Sequence, residues 1–345
     1  MAFLFFGIES NTGIDNYGCM RRFLTLSAVT AIEITRQPVY LLLTITCIVL
    51  TALVPMVLLH QFGEEGKIAR DSGLAFHLVF GIVVASYAAS SALAREIRNG
   101  TASLFLSKPV SRNGYFLAKF VGVLIVTVGF SWCATLSTLL AERVSEHRAY
   151  GAGQSYEPRI DWLTGDLLMA SPFVAILIAG LLNYWRKCAF QSAAFPLLVV
   201  LLPVVLLVSG CFNRFGSLVP YQLQVDWRIL AASLLVTFAL CVFAALAISL
   251  STRLFTMPTI AICVLVLFAG LVLDYTLTRV GQAGGFAAVL RALIPNWQHF
   301  WRADVLTGDG VIAWTYVCRV GAYAAMYVLA VLSLGLLSFS RVDMK

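Results

Sequence analysis

Long apolar runs separated by short polar breaks fill this chain from residue 38 onward. A hydrocarbon core ~30 Å thick needs about 20 helical residues to cross it. Eight runs approach or exceed that length, at about 38–60, 73–94, 116–141, 167–185, 189–211, 229–250, 255–274 and 318–339. The fold class this pattern predicts is all-α: a polytopic membrane protein of about eight transmembrane helices. The first 37 residues follow another rule. Between Cys19 and Gln37, Phe23, Leu26, Ala28, Ile32 and Ile34 are interleaved with Arg21, Arg22, Glu33 and Arg36. Such a helix lies in the interface and elbows into the first span at Pro38. The chain therefore divides into an N-terminal segment, 1–37, and a transmembrane domain, 38–345.

The polar breaks carry their own signals. Arg186-Lys187 and Ser251-Thr252-Arg253 are tight turns of two hairpins of spans. The loop from Glu142 to Gly165 is too short for a domain and is expected to hold a short interfacial helix near Trp162. Asn213 to Trp227 is a second polar loop, and Tyr275 to Asp309 a third, with an aromatic stretch from Leu293 to Trp301 expected to lie at the interface. Residues 310–318 are expected at the interface. Ala85, Ser86, Ala88, Ala89, Ser90, Ser91 and Ala92 make the end of the second span small-sided, which lets helices approach closely without a hydrophobic driving force.

Composition sharpens the class. Of 345 residues 60% are hydrophobic and 12% charged, with a mean hydropathy of +0.88, more apolar surface than a soluble domain can hide. The net charge of +7 belongs to short loops that set topology and meet anionic lipid heads, not to nucleic acid. Among eight cysteines, Cys47, Cys133, Cys211, Cys241 and Cys263 fall within or at the ends of apolar runs, without paired spacing, and read as small buried residues. Phe3 to Phe6 lack the basic flank and long core of a signal peptide, and Gly18-Cys19 has no apolar run before it to make a lipoprotein site.

No catalytic chemistry emerges. Gly63-Glu64-Glu65-Gly66-Lys67 has the wrong spacing for a phosphate loop and follows no strand. His60, His77, His147 and His299 have no partner at helical spacing, so no metal site is expected. No nucleophile elbow appears. Ionisable residues are nearly absent from span centres, which argues against an ion-coupled transporter or proton pump. No cofactor and no ATPase site of the chain's own are expected.

One stretch between the second and third spans stands apart. From Arg95 to Lys119 it holds Arg95, Glu96 and Arg98, a Gly100-Thr101 break, an amphipathic turn with Leu104, Phe105 and Leu106, and Lys108-Pro109 to stop it. Ser111, Arg112 and Asn113 then offer a cap to the next helix. In order and spacing, Glu96, Gly100, Thr101, Leu104, Leu106, Pro109, Val110, Ser111, Arg112 and Lys119 resemble the first intracellular coupling element of ABC-2 type transporter permeases. Ala247 to Leu254, with its Leu-Ser-Thr-Arg turn, is similar to the same family. Many members have six spans, and the two central hairpins here depart from that.

The resemblance implies a membrane-spanning permease subunit of an ABC exporter, driven by a separate ABC ATPase dimer. It further implies a second permease chain, as homodimer or heterodimer, and a lipid setting in the cytoplasmic (inner) cell membrane. Both termini and the Arg186-Lys187 turn would then face the cytoplasm. A cytoplasmic coupling helix would dock in a groove of the ATPase through Glu96, Arg98, Gly100, Thr101, Leu104, Phe105, Pro109 and Arg112. The other function class compatible with the residues is a membrane-embedded enzyme or a non-transporting scaffold of a membrane complex.

Overall fold

In the computed structural model the apolar runs form antiparallel helices; it describes residues 13–57, 66–98, 111–145, 147–150, 156–187, 189–279, 294–308 and 310–341. Helix α1 (Gly13–Thr35) precedes the bundle. Among the described residues seven helices are long and apolar enough to cross a membrane. They are α2 (Pro38–Val57), α3 (Lys67–Arg98), α4 (Arg112–Val144), α5 (Trp162–Arg186), α6 (Phe190–Ser209), α7 (Arg228–Leu250) and α9 (Trp314–Ser340). The eighth expected place is taken by α8 (Thr256–Arg279), apolar over the shorter stretch Thr256–Val272.

Local chemistry sets the helix ends. Pro38, which has no amide hydrogen to lose, opens α2 directly after α1 closes. The Ser111 hydroxyl accepts from the Gly114 amide at 3.2 Å and caps α4. Asp161 caps α5 by accepting from the Thr164 amide at 3.1 Å. That cap makes Trp162 the first residue of α5 itself, and among the described residues no separate interfacial helix precedes it. The loop before it instead pairs β1 (His147–Tyr150) with β2 (Tyr156–Arg159) as an antiparallel hairpin, His147 opposite Arg159. Tyr150 paired with Tyr156 in the register, and Pro158 in the second strand, favour extended backbone over a helix. At the other loop, α9 begins at Trp314, inside the stretch expected to lie at the interface.

Helices α3, α4 and α7 form the middle of the bundle and are the most buried spans, while α5, α6 and α9 are peripheral. Helix α4 touches α1, α2, α3, α5, α6, α7 and α9. Small residues allow this. A Cβ on Gly122 of α4 would lie 2.7 Å from the Thr30 Cβ and 2.9 Å from the Ser27 carbonyl oxygen, so only glycine lets α1 rest there. On α3, a Cβ on Gly73 would meet Thr138 of α4 at 2.7 Å.

Alternation sorts the connections onto two ends. One end gathers the α1–α2 elbow, the end of α3, the start of α4 and the α5–α6, α7–α8 and C-terminal turns. There Ser90 bonds Thr256 at 2.7 Å, and Thr252 bonds Ser338 at 3.0 Å. The opposite end is closed by arginines. Arg143, fully buried at the end of α4, pairs with Asp161 at 3.2 Å and donates to the Ser209 and Phe212 carbonyls at 2.5 and 2.9 Å. Arg70 donates to the Leu306 carbonyl at 3.1 Å, and Arg228 to that of Gly308 at 2.8 Å. The aromatic stretch after α8 folds inward rather than along the surface. Trp297 is buried, stacks on Phe243 of α7 at 4.3 Å and donates to the Val266 carbonyl at 3.1 Å.

Candidate functional site

The stretch expected to couple to an ATPase is flanked by the end of α3 and the start of α4, its two feet. Near its end, α3 widens into a π-helical turn at Ser90–Ala94, and all five of its side chains are buried. A turn of this kind holds one residue more than an α-turn and rotates the helix beyond it, a device frequent at functional sites. The last turn, Arg95–Arg98, therefore presents Glu96 inward while Arg95 and Arg98 face out.

Glu96 meets α4. Its carboxylate accepts from Lys119 Nζ at 2.6 Å on one oxygen and from the Tyr115 hydroxyl on the other. Lys119 and Tyr115 lie four residues apart on one face of α4, and the lysine nitrogen is 5.7 Å from the Tyr115 ring centroid. All three residues are buried. Phe339, near the end of α9, stacks on Tyr115 with centroids 6.2 Å apart and seals the group from below. A bare carboxylate here would carry a heavy desolvation cost; the ammonium and the phenol offset it.

A second set of contacts ties the same feet to neighbouring elements. Gln37, in the α1–α2 elbow, accepts from the Tyr87 hydroxyl at 2.5 Å and from Arg95 at 3.4 Å. The Arg98 guanidinium lies 4.2 Å from the Phe255 ring centroid, at the head of α8. The feet thus contact α1, α2, α8 and α9 as well as each other.

The expected docking residues separate into three groups. Glu96 is turned inward and serves the α3–α4 joint. Arg98 and Arg112 are exposed, one on each foot. Gly100, Thr101, Leu104, Phe105 and Pro109 lie outside the described residues. Lys119, matched in the sequence pattern but not counted among the candidate docking residues, is the partner of Glu96. Its signal was a lone charged residue within the body of α4, Tyr115 to Ala141. Among the described residues no group of three metal-ligating side chains occurs.

Residues 34–191 match the family model described as ABC-2 family transporter protein, a little under half of the chain. That stretch is similar to ABC-2 type permease domains. It contains α2 to α5, both feet and the Glu96–Lys119 joint, so the clamp is part of what the family match covers. The chain is a multi-pass membrane protein. No curated protein shows significant similarity to the chain.

Proposed function

We propose that this permease is the membrane-spanning subunit of an ABC exporter, moving its substrate across the cytoplasmic membrane with ATP hydrolysed by a separate ATPase dimer. The observation that carries this reading is the buried Glu96–Lys119–Tyr115 group, which fastens both ends of the coupling stretch to the two central helices. A partner gripping residues 99–110 cannot move one foot alone. Displacement passes through the joint into α3 and α4, and through Phe339 and Phe255 into α9 and α8. A rigid lever of this kind converts closure of a cytoplasmic ATPase into a change of span packing.

In this reading Leu104 and Phe105 form the apolar ridge that the ATPase groove covers, with Arg98 and Arg112 at its flanks steering the approach. Two permease chains, identical or similar, flank the pathway. The test is purification of the full chain from its own membrane in mild detergent, with the co-purifying subunits identified and ATP hydrolysis measured. Recovery with an ABC ATPase whose turnover the permease stimulates is the expected result. Recovery with no nucleotide-hydrolysing subunit, together with turnover of a lipid by the chain alone, would overturn it in favour of a membrane enzyme.

A further inference from the structure

At the end opposite the feet, a cavity of about 200 Å³ opens between the turn Ala303–Leu306 and the start of α9. Val305, Val311, Ile312 and Ala313 make its wall apolar, and Arg302 with Tyr316 makes one side polar. The Arg302 guanidinium is held in place. Its Nε donates to the Tyr316 hydroxyl at 2.9 Å, and it lies 5.0 Å from that ring's centroid. The same hydroxyl donates to the His299 carbonyl at 2.9 Å, which fixes Tyr316 in turn. Among the described residues the two terminal nitrogens of Arg302 have no acceptor. An oriented guanidinium with its fork of donors unused is suited to a phosphate or carboxylate.

The level of the cavity matters as much as its lining. It sits where a span begins, beside the half-buried Trp301 and the exposed Trp314, the residue type that marks the headgroup layer. Val311 is 66% exposed, so the apolar wall continues onto the surface that faces acyl chains. Arg319, three residues beyond Tyr316 and so its neighbour on the helix surface, is exposed and also has no acceptor among the described residues. Charge above and an apolar slot leading into the bilayer match one class of molecule.

We infer that this cavity is a binding site for an anionic phospholipid of the surrounding membrane, with the phosphate on Arg302 and the head of one acyl chain against Val305, Val311 and Ile312. The site ties a lipid to the junction of the loop and α9, the span whose other end carries Phe339 over the coupling joint.

The experiment uses the full chain in nanodiscs of phosphatidylcholine, with and without a minor fraction of phosphatidylglycerol. Thermal midpoints are read beside native mass spectrometry of retained lipid. The wild type should gain stability from phosphatidylglycerol and retain one such lipid per chain. Arg302→Gln should lose roughly tenfold or more of that preference, the size expected for a lost charge-assisted hydrogen bond. Because Arg302 also supports Tyr316, Val311→Asp is the second variant. It is compared with its own midpoint in pure phosphatidylcholine, over which phosphatidylglycerol should give no gain and leave no retained lipid, since an aspartate in the slot repels the anionic lipid. A wild-type gain that survives in Val311→Asp overturns the inference. So does absence of any gain, or its reproduction by inorganic phosphate alone.

Discussion

Glu96 and Lys119 are each costly to bury, and at 2.6 Å each removes the other's cost. Breaking such a pair from one side typically loses about 3–5 kcal/mol, because a charge stays behind without a partner. Lys119→Met should therefore lower the unfolding stability of the purified chain by that order. The double variant Glu96→Gln, Lys119→Met should recover most of it, since Tyr115 still satisfies a neutral amide. Denaturant unfolding in detergent reads both, and equal stability of the single and double variants would show that the pair is not coupled. His77 presents the opposite case. It lies buried in α3 beside Phe130, and neither ring nitrogen has a partner among the described residues. Replacing an unsatisfied buried polar group by an apolar one of similar size removes a penalty of about 1–3 kcal/mol. His77→Leu should accordingly raise the thermal midpoint, and a fall would mean that the imidazole is stabilised in place. Outside the spans, burial raises the Asp226 carboxyl, but its bonds from Arg228 at 2.8 Å outweigh that and hold it below the usual range. A depressed carboxylate adds stability above its unfolded value of about 3.9 and loses it as pH falls through the folded value. Asp226→Asn should thus be less stable than the wild type at neutral pH, with the gap closing below about pH 4.

Among the elements, the coupling stretch makes the sharpest claim. In the proposed reading Leu104 and Phe105 form an apolar ridge on the segment that joins the two feet, and such a ridge on an aqueous surface requires a cover. Replacing both by Asp should cost several kcal/mol of ATPase docking, from lost burial and two unpaired charges. Insertion should be unchanged, since neither residue lies in a span. A double variant that still captures and stimulates its ATPase would reduce the stretch to an interfacial loop. The spans, the elbow at Pro38 and the Ser111 cap were legible in sequence, because bilayer thickness, proline geometry and capping chemistry each act within a few consecutive residues. The π-helical turn was not, since Ser90–Ala94 has the composition of any small-sided helix. The hairpin before α5 was missed because the cap at Asp161, not the tryptophan beside it, decides where the helix begins. Glu96 read as a docking charge for a similar reason. Its partner is 23 residues away, across the stretch, and only the fold brings them together.

For the whole molecule, the distribution of arginines explains why a plain count of basic residues gives little bias between the two ends. At the end opposite the feet, Arg70, Arg143, Arg214 and Arg228 are buried or half-buried and bond carboxylates or carbonyls. They staple loops; among the arginines there whose side chains are described, Arg302 keeps its terminal nitrogens without an acceptor and Arg319 is exposed. At the other end Arg36, Arg95, Arg98, Arg112, Arg186, Arg253 and Arg341 are all exposed. Charge that is already engaged does little to attract the anionic cytoplasmic leaflet, whereas exposed charge attracts it, so the feet should face the cytoplasm. Two positions test this with one reagent. Lys187 is exposed in the α5–α6 turn, at the end of the feet, and Leu218, 77% exposed, lies in the loop before α7 at the opposite end. In a background with the eight native cysteines replaced, a membrane-impermeant thiol reagent applied to intact cells should label Leu218→Cys and spare Lys187→Cys until the cells are opened. The reverse pattern would place the coupling stretch outside, beyond reach of any cytoplasmic ATPase. Labelling of both from outside would mean that α5 and α6 do not form a membrane-crossing hairpin, and the eight-span arrangement would fail with it.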